Sequence, residues 1–132
     1  MEPMPDPELP ALAPKRELRV LIVEDNVEAA ASLQKLLERC GYSVRVATTA
    51  TQALEIAKRT RPDVALVDIG LPDYDGHVLA RALREDPATA SIRLIAVTAS
   101  PDRSRSAKAG FKLHLVKPID PETLLLELAA RS

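Results

Sequence analysis

Five side chains scattered along the 132-residue sequence have the types that phosphoryl chemistry needs: the adjacent acids Glu24 and Asp25, the acid Asp68, the hydroxyl of Thr98 and the ammonium of Lys117. Each stands where an apolar run stops, after Leu18 to Val23, Asp63 to Val67, Ile92 to Val97 and Lys112 to Val116. If these runs are strands of one parallel sheet, the five groups meet outside its carboxyl edge, where such sheets collect ligands. Like charges brought that close raise each other's pKa and oppose folding, so the three acids need a counter-charge or a cation. Hard carboxylate oxygens without histidine or cysteine partners suit Mg²⁺, which keeps several waters and readily accepts a phosphate oxygen. A lysine facing them is a point charge for an anion such as phosphate. The set reads as a phosphoryl-transfer site with Asp68 as its nucleophile.

Each residue also has a plainer reading. Asp25 fits a helix N-cap, with Glu28 completing a capping box. Asp68 fits the head of an Asx-turn into the Leu71-Pro72 loop, and Asp73 and Asp75-Gly76 read as ordinary turn residues. Thr98 is a β-branched residue at a strand end, and Lys117 fits a solvated lysine before a turn. These readings fail jointly rather than singly, because none accounts for three acids, a hydroxyl and a lysine converging on one edge.

The elements that must position them alternate regularly. Helical spacing of Ala30, Leu33, Leu37 and Cys40 marks a helix over Val27 to Cys40, with Gly41 as its stop. A strand over Ser43 to Ala47, helices over Thr51 to Thr60 and His77 to Glu85, and a last helix over Glu122 to Arg131, with Leu124, Leu125 and Leu128 on one side, complete the series. Short, nearly all-apolar strands between helices predict an α/β fold, a parallel sheet covered on both faces. The chain is long enough for one core and too short for two. Residues 1–17 hold five of the eleven prolines and few large apolar side chains, as a tail or linker would.

Composition excludes several classes. A net charge of −1 with mixed signs offers no basic face for nucleic acid and no polybasic patch for a membrane. Cys40 is the single cysteine, so neither a disulfide framework nor a cysteine metal set exists. The N-terminus lacks the basic start and apolar run of a signal peptide, and no later stretch approaches a membrane span. A soluble, cytoplasmic protein is expected.

Four motifs in order, V-L-I-V-E-D-N, D-I-G-L-P-D-Y-D-G, A-V-T-A-S and L-V-K-P, resemble those of the CheY-like response-regulator receiver domains of two-component signalling. The resemblance runs from about Leu18 to Arg131, dividing the chain into a tail over 1–17 and a receiver domain over 18–132. It implies a doubly wound, flavodoxin-like sheet of five parallel strands in the order 2-1-3-4-5. It further implies that Asp68 accepts a phosphoryl group from a phosphohistidine on a histidine kinase or histidine phosphotransfer protein. Asp25, Asp68 and the Gly70 backbone carbonyl would hold Mg²⁺, with Glu24 acting through a water. Thr98, the Ala99 backbone and Lys117 would bind the phosphoryl oxygens, a cis bond to Pro118 would fix Lys117, and Thr98 with residue 114 would form the switch toward an unknown downstream protein. Such a chain is a signalling phosphoacceptor rather than an enzyme, promoting only its own phosphorylation and dephosphorylation.

Two features depart from the pattern. The family's aromatic switch position is His114 here, as in some receivers attached to hybrid kinases, which the segment G-F-K-L-H-L-V-K-P-I-D resembles. Only eleven residues separate Thr98 from Gly110, about three fewer than the family normally has, so the fourth helix is expected to be short, shifted or poorly ordered. Of the competing readings, a nucleotide binder conflicts with Glu24-Asp25, which would repel phosphate. A phosphatase with an aspartyl nucleophile conflicts with Gly70, where a second acid would stand. A pseudo-receiver, keeping the fold as a phosphorylation-independent interaction module, is the alternative that Mg²⁺ binding would separate.

Overall fold

The computed structural model describes residues 18–71, 75–99 and 110–129. The proline-rich tail, the Asp73 turn and the fourth-helix segment fall outside these residues. Five strands, β1 (Arg19–Val23), β2 (Ser43–Ala47), β3 (Val64–Asp68), β4 (Arg93–Thr98) and β5 (Leu113–Val116), form one sheet in the order β2-β1-β3-β4-β5. Every pairing is parallel. Helices α1 (Val27–Arg39), α2 (Ala50–Thr60), α3 (Gly76–Glu85) and the C-terminal helix (Pro121–Ala129) connect or follow the strands. The flavodoxin-like order expected from the motifs is therefore the observed one.

Why the strands read as unbroken apolar runs is visible in the core. Alternate residues face opposite sides, and both sides are covered. Leu21, Val23, Val67 and Leu94 pack with Leu79 and Leu83 of α3 and the alanines of α2. Ile22, Leu66, Ile95 and Leu115 pack with Leu37 of α1 and Leu124 and Leu128 of the C-terminal helix. Each such side chain contributes roughly 1.5–3 kcal/mol by leaving water. The central β3 is buried at all five positions. It also ends one residue later than the apolar run suggests, so Asp68 lies in the sheet, in register with Val97.

Local signals set the helix ends. Asn26, not Asp25, caps α1: its side chain accepts the Ala29 N–H at 3.0 Å, a bond worth about 1 kcal/mol. α1 stops where Gly41 turns left-handed at φ 94°, the Gly41 N–H reaching the Glu38 carbonyl and the Tyr42 N–H the Leu37 carbonyl. This Schellman motif leaves Cys40 as the C-cap instead of the last helical residue. Below the sheet's last strands, Arg84 of α3 donates to the carbonyls of Ala90, of Ile92 at 2.7 Å and of Gly110 at 3.1 Å. One guanidinium thus joins the approach to β4 with the approach to β5.

Candidate functional site

At the carboxyl edge the topology brings together β1, β3 and β5. Glu24, Asp25 and Asp68 each direct a carboxylate oxygen into a group whose members lie within 4.8 Å of one another. Since Asn26 takes the capping role, Asp25 stays exposed and its carboxylate belongs to this group. Glu24 follows β1, its N–H bonded to the Ala47 carbonyl and its Oε2 accepting the Asn26 N–H at 3.1 Å. Asp68 is 7% exposed, and its two oxygens are divided: Oδ1 accepts the Gly70 N–H at 2.9 Å, Oδ2 the Lys117 ammonium at 2.9 Å. The Asx-turn reading of Asp68 therefore holds alongside the charged contact.

Lys117 reaches from the far side of the sheet and spans both acids, with Nζ also 3.2 Å from Glu24 Oε1. Its N–H binds the Thr98 carbonyl at 2.9 Å, and its peptide bond to Pro118 is cis. Thr98 ends β4, half-buried, with exposed Ala99 next to it. His114 is in register with Ala96 and Val116 with Thr98, so strand alternation puts His114 and Thr98 on the same sheet face.

Electrostatics separate the acids. Burial, reinforced by Asp68, raises the Glu24 carboxyl above its usual value, and the Asn26 N–H and Lys117 offset this only in part. Burial would raise Asp68 too, yet the hydrogen bonds from Lys117 and the Gly70 N–H outweigh it and hold the carboxyl low. Burial pulls the Lys117 ammonium down, but its hydrogen bond and charge contact with Asp68 and its pairing with Glu24 leave it above the usual lysine value. Asp68 is thus a carboxylate at neutral pH. Three carboxylates against one ammonium leave two negative charges, and the donors are all oxygen, a set that fits a divalent hard cation.

A cleft of about 610 Å³ opens beside these groups, lined by Glu24, Asp68 and Lys117 and by Leu33, Leu36 and Ile119. On the other side of Asp68, the loop after β3 is closed by residues that read as ordinary turn formers. Asp75 caps α3 and faces Gly70 in an isolated antiparallel bridge, and the Gly76 N–H binds the Ile69 carbonyl at 2.9 Å. A Cβ on Gly76 would lie 2.8 Å from Ile69 Cα and 2.9 Å from the Asp68 carbonyl oxygen, so only glycine lets the helix start this close to the strand end.

Residues 20–129 match the response regulator receiver domain family. The chain belongs to that family, whose setting is two-component signalling. It is similar to the protein PilH of Pseudomonas aeruginosa, 34% identical over 115 residues that cover 85% of this chain and 95% of PilH. It is 32% identical to the DNA-binding response regulator MtrA of Mycobacterium tuberculosis over 113 residues, 86% of this chain and 50% of MtrA. This chain therefore spans about half the length of MtrA. Among solved structures, the receiver domain of sensor histidine kinase PA1611 from P. aeruginosa, with a magnesium ion coordinated in its active-site cleft, superposes with a TM-score of 0.79 at 31% identity, covering 86% of this chain and 96% of that one. The chemotaxis response regulator CheY4 of Vibrio cholerae superposes at 0.81 with 27% identity, covering 86% and 98%. No helix among the described residues is long and apolar enough to cross a membrane.

Proposed function

We propose that this chain is a Mg²⁺-dependent phosphoacceptor whose Asp68 takes a phosphoryl group from a phosphohistidine on a histidine kinase or histidine phosphotransfer protein. The observation that carries the reading is the buried Asp68 carboxylate, held ionised 2.9 Å from Lys117 within a cluster of acids. An Asp68 oxygen attacks the phosphorus in line, the phosphorus–nitrogen bond breaks, and the freed imidazole keeps the electron pair and takes up a proton. The product is an acyl phosphate, hydrolysable by water, so the chain promotes its own phosphorylation and dephosphorylation and acts as a signalling switch rather than an enzyme. Lys117, already seated on Asp68, neutralises charge on the transferred group. Thr98 and the Ala99 backbone stand at the end of the neighbouring strand to meet its remaining oxygens. Asp25, Asp68 and the Gly70 carbonyl are the groups that would hold Mg²⁺, with Glu24 acting through a water, and the bound ion would supply further charge neutralisation. The cleft beside the acids gives a partner's side chain access to Asp68, and a cytoplasmic setting suits such a partner.

Intact mass after incubation with a small-molecule phosphodonor tests the reading. A single phosphoryl adduct that needs Mg²⁺, is labile to hydroxylamine and is absent in Asp68→Asn is expected. Absence of both the adduct and Mg²⁺ binding would overturn it in favour of a phosphorylation-independent interaction module.

A further inference from the structure

Beside the acid cluster lies a second arrangement that the phosphoryl chemistry does not use. His77, at the start of α3, is 7% exposed. Its Nδ1 is 2.8 Å from Asp75 Oδ1, and the same oxygen accepts the His77 backbone N–H at 2.8 Å. The ring meets Phe111 edge-on, with centroids 6.0 Å apart and planes at 82°. A carboxylate oxygen can only accept, so Nδ1 carries the proton and the tautomer is fixed by Asp75. Asp75 in turn faces Gly70 across the isolated bridge that closes the loop after β3.

From this chain of contacts we propose that His77 is a positioning residue for metal binding: through Asp75 it sets the backbone of Gly70, whose carbonyl is offered to the cation. The idea deepens the phosphoacceptor reading and rests on it. The physical case is one of rigidity. The Gly70 backbone has no side chain of its own to anchor it, and Asx-type contact with Asp68 fixes only its N–H. On its other side the bridge to Asp75 is tied by the Gly76 N–H on the Ile69 carbonyl, and the Asp75 carboxylate Oδ1, next to that bond, meets both the backbone N–H and the ring Nδ1 of His77. Partners behind a ligand that orient it typically change metal affinity by about 10–100-fold when lost.

Amide NMR of the whole chain titrated with Mg²⁺ alone provides the test, with His77→Leu and His77→Asn beside wild type. His77→Leu keeps an apolar group against Phe111 but loses the side-chain donor, and is expected to bind Mg²⁺ about tenfold more weakly, with the Gly70 and Asp75 amide resonances displaced. His77→Asn restores a donor at the place of Nδ1 and is expected to recover most of that affinity. A purely structural role for His77 would lower the melting temperature in both variants and leave the Mg²⁺ affinity unchanged, which would overturn the proposal. Should His77→Leu fail to fold, the wild-type chain still decides: the imidazole ¹⁵N resonances of His77 must shift on saturation with Mg²⁺, and if they stay fixed the proposal falls. Wild type that binds no Mg²⁺ at all would bring down the phosphoacceptor reading itself, whereas binding that is indifferent to His77 brings down only this inference.

Discussion

The two edges of the sheet use the same residue types to opposite ends. At the amino edge, the Asp63 carboxylate accepts the Arg19 N–H at 2.7 Å while the Asp63 N–H binds the Arg19 carbonyl and its own carbonyl takes the Arg93 N–H. The Arg19 guanidinium lies 3.9 Å from the same carboxylate and donates to the Thr60 carbonyl at 2.7 Å. One acid meets one base, and the backbone uses them to join β1, β3 and β4. At the carboxyl edge three acids meet one lysine, and one Asp68 oxygen faces an ammonium rather than the backbone. Matched charge makes an acid a rivet; unmatched charge leaves it able to take a cation and react.

Substituting the two aspartates breaks this contrast most sharply. Asp68→Asn should abolish the phosphoryl adduct while the chain stays folded, and Asp63→Asn should form the adduct normally, both read by intact mass. An adduct on Asp68→Asn equal to wild type would erase the distinction. Next in size, Asp63→Ala removes the charged acceptor of the part-buried Arg19 N–H and should cost about 1.5–3 kcal/mol in denaturant unfolding, with Mg²⁺ affinity unaltered. Mg²⁺ at ten times its dissociation constant should stabilise the wild-type chain by about 1.4 kcal/mol, and Asp25→Ala should reduce this gain.

The smallest effect is one of pH, and its signs differ within the carboxyl edge. Asp68, held low, contributes stability that is present above the usual carboxylate range and lost as the pH falls through its lowered value. Glu24, raised, works the other way: the folded state favours its protonated form, so stability declines as the pH rises from the usual range through the raised value. Glu24→Gln should therefore stabilise the Mg²⁺-free chain at neutral pH, and denaturation midpoints that move downward there would contradict the assignment.

Much of this was legible from residues alone because parallel strands buried on both faces leave an unmistakable apolar run, and their ends point to one edge. Asp68 and Lys117 lie 49 positions apart, yet topology makes them neighbours. Finer features depended on partners that no local pattern names. Asp25 and Asn26 are both good caps, and only the path from β1 into α1 decides between them. Asp75 and Gly76 look like a generic turn, and His77 like a plain helix start, until the close approach to Ile69 and the ring of Phe111 are seen. β3 and β4 run one residue past their apolar stretches because a polar residue keeps its ladder bonds wherever a neighbouring strand continues, as Asp68 beside Val97 does.

The Arg84 guanidinium has a consequence for how such a chain can change over generations. It grips the Gly110 carbonyl from α3, while Thr98, at the other end of that connection, is held by its ladder partner Val116 and by the Lys117 N–H. Each anchor point thus has contacts made outside the residues between the two. A change in the length of that connection need not break these contacts, so the acids and the lysine at the sheet's edge are expected to tolerate it.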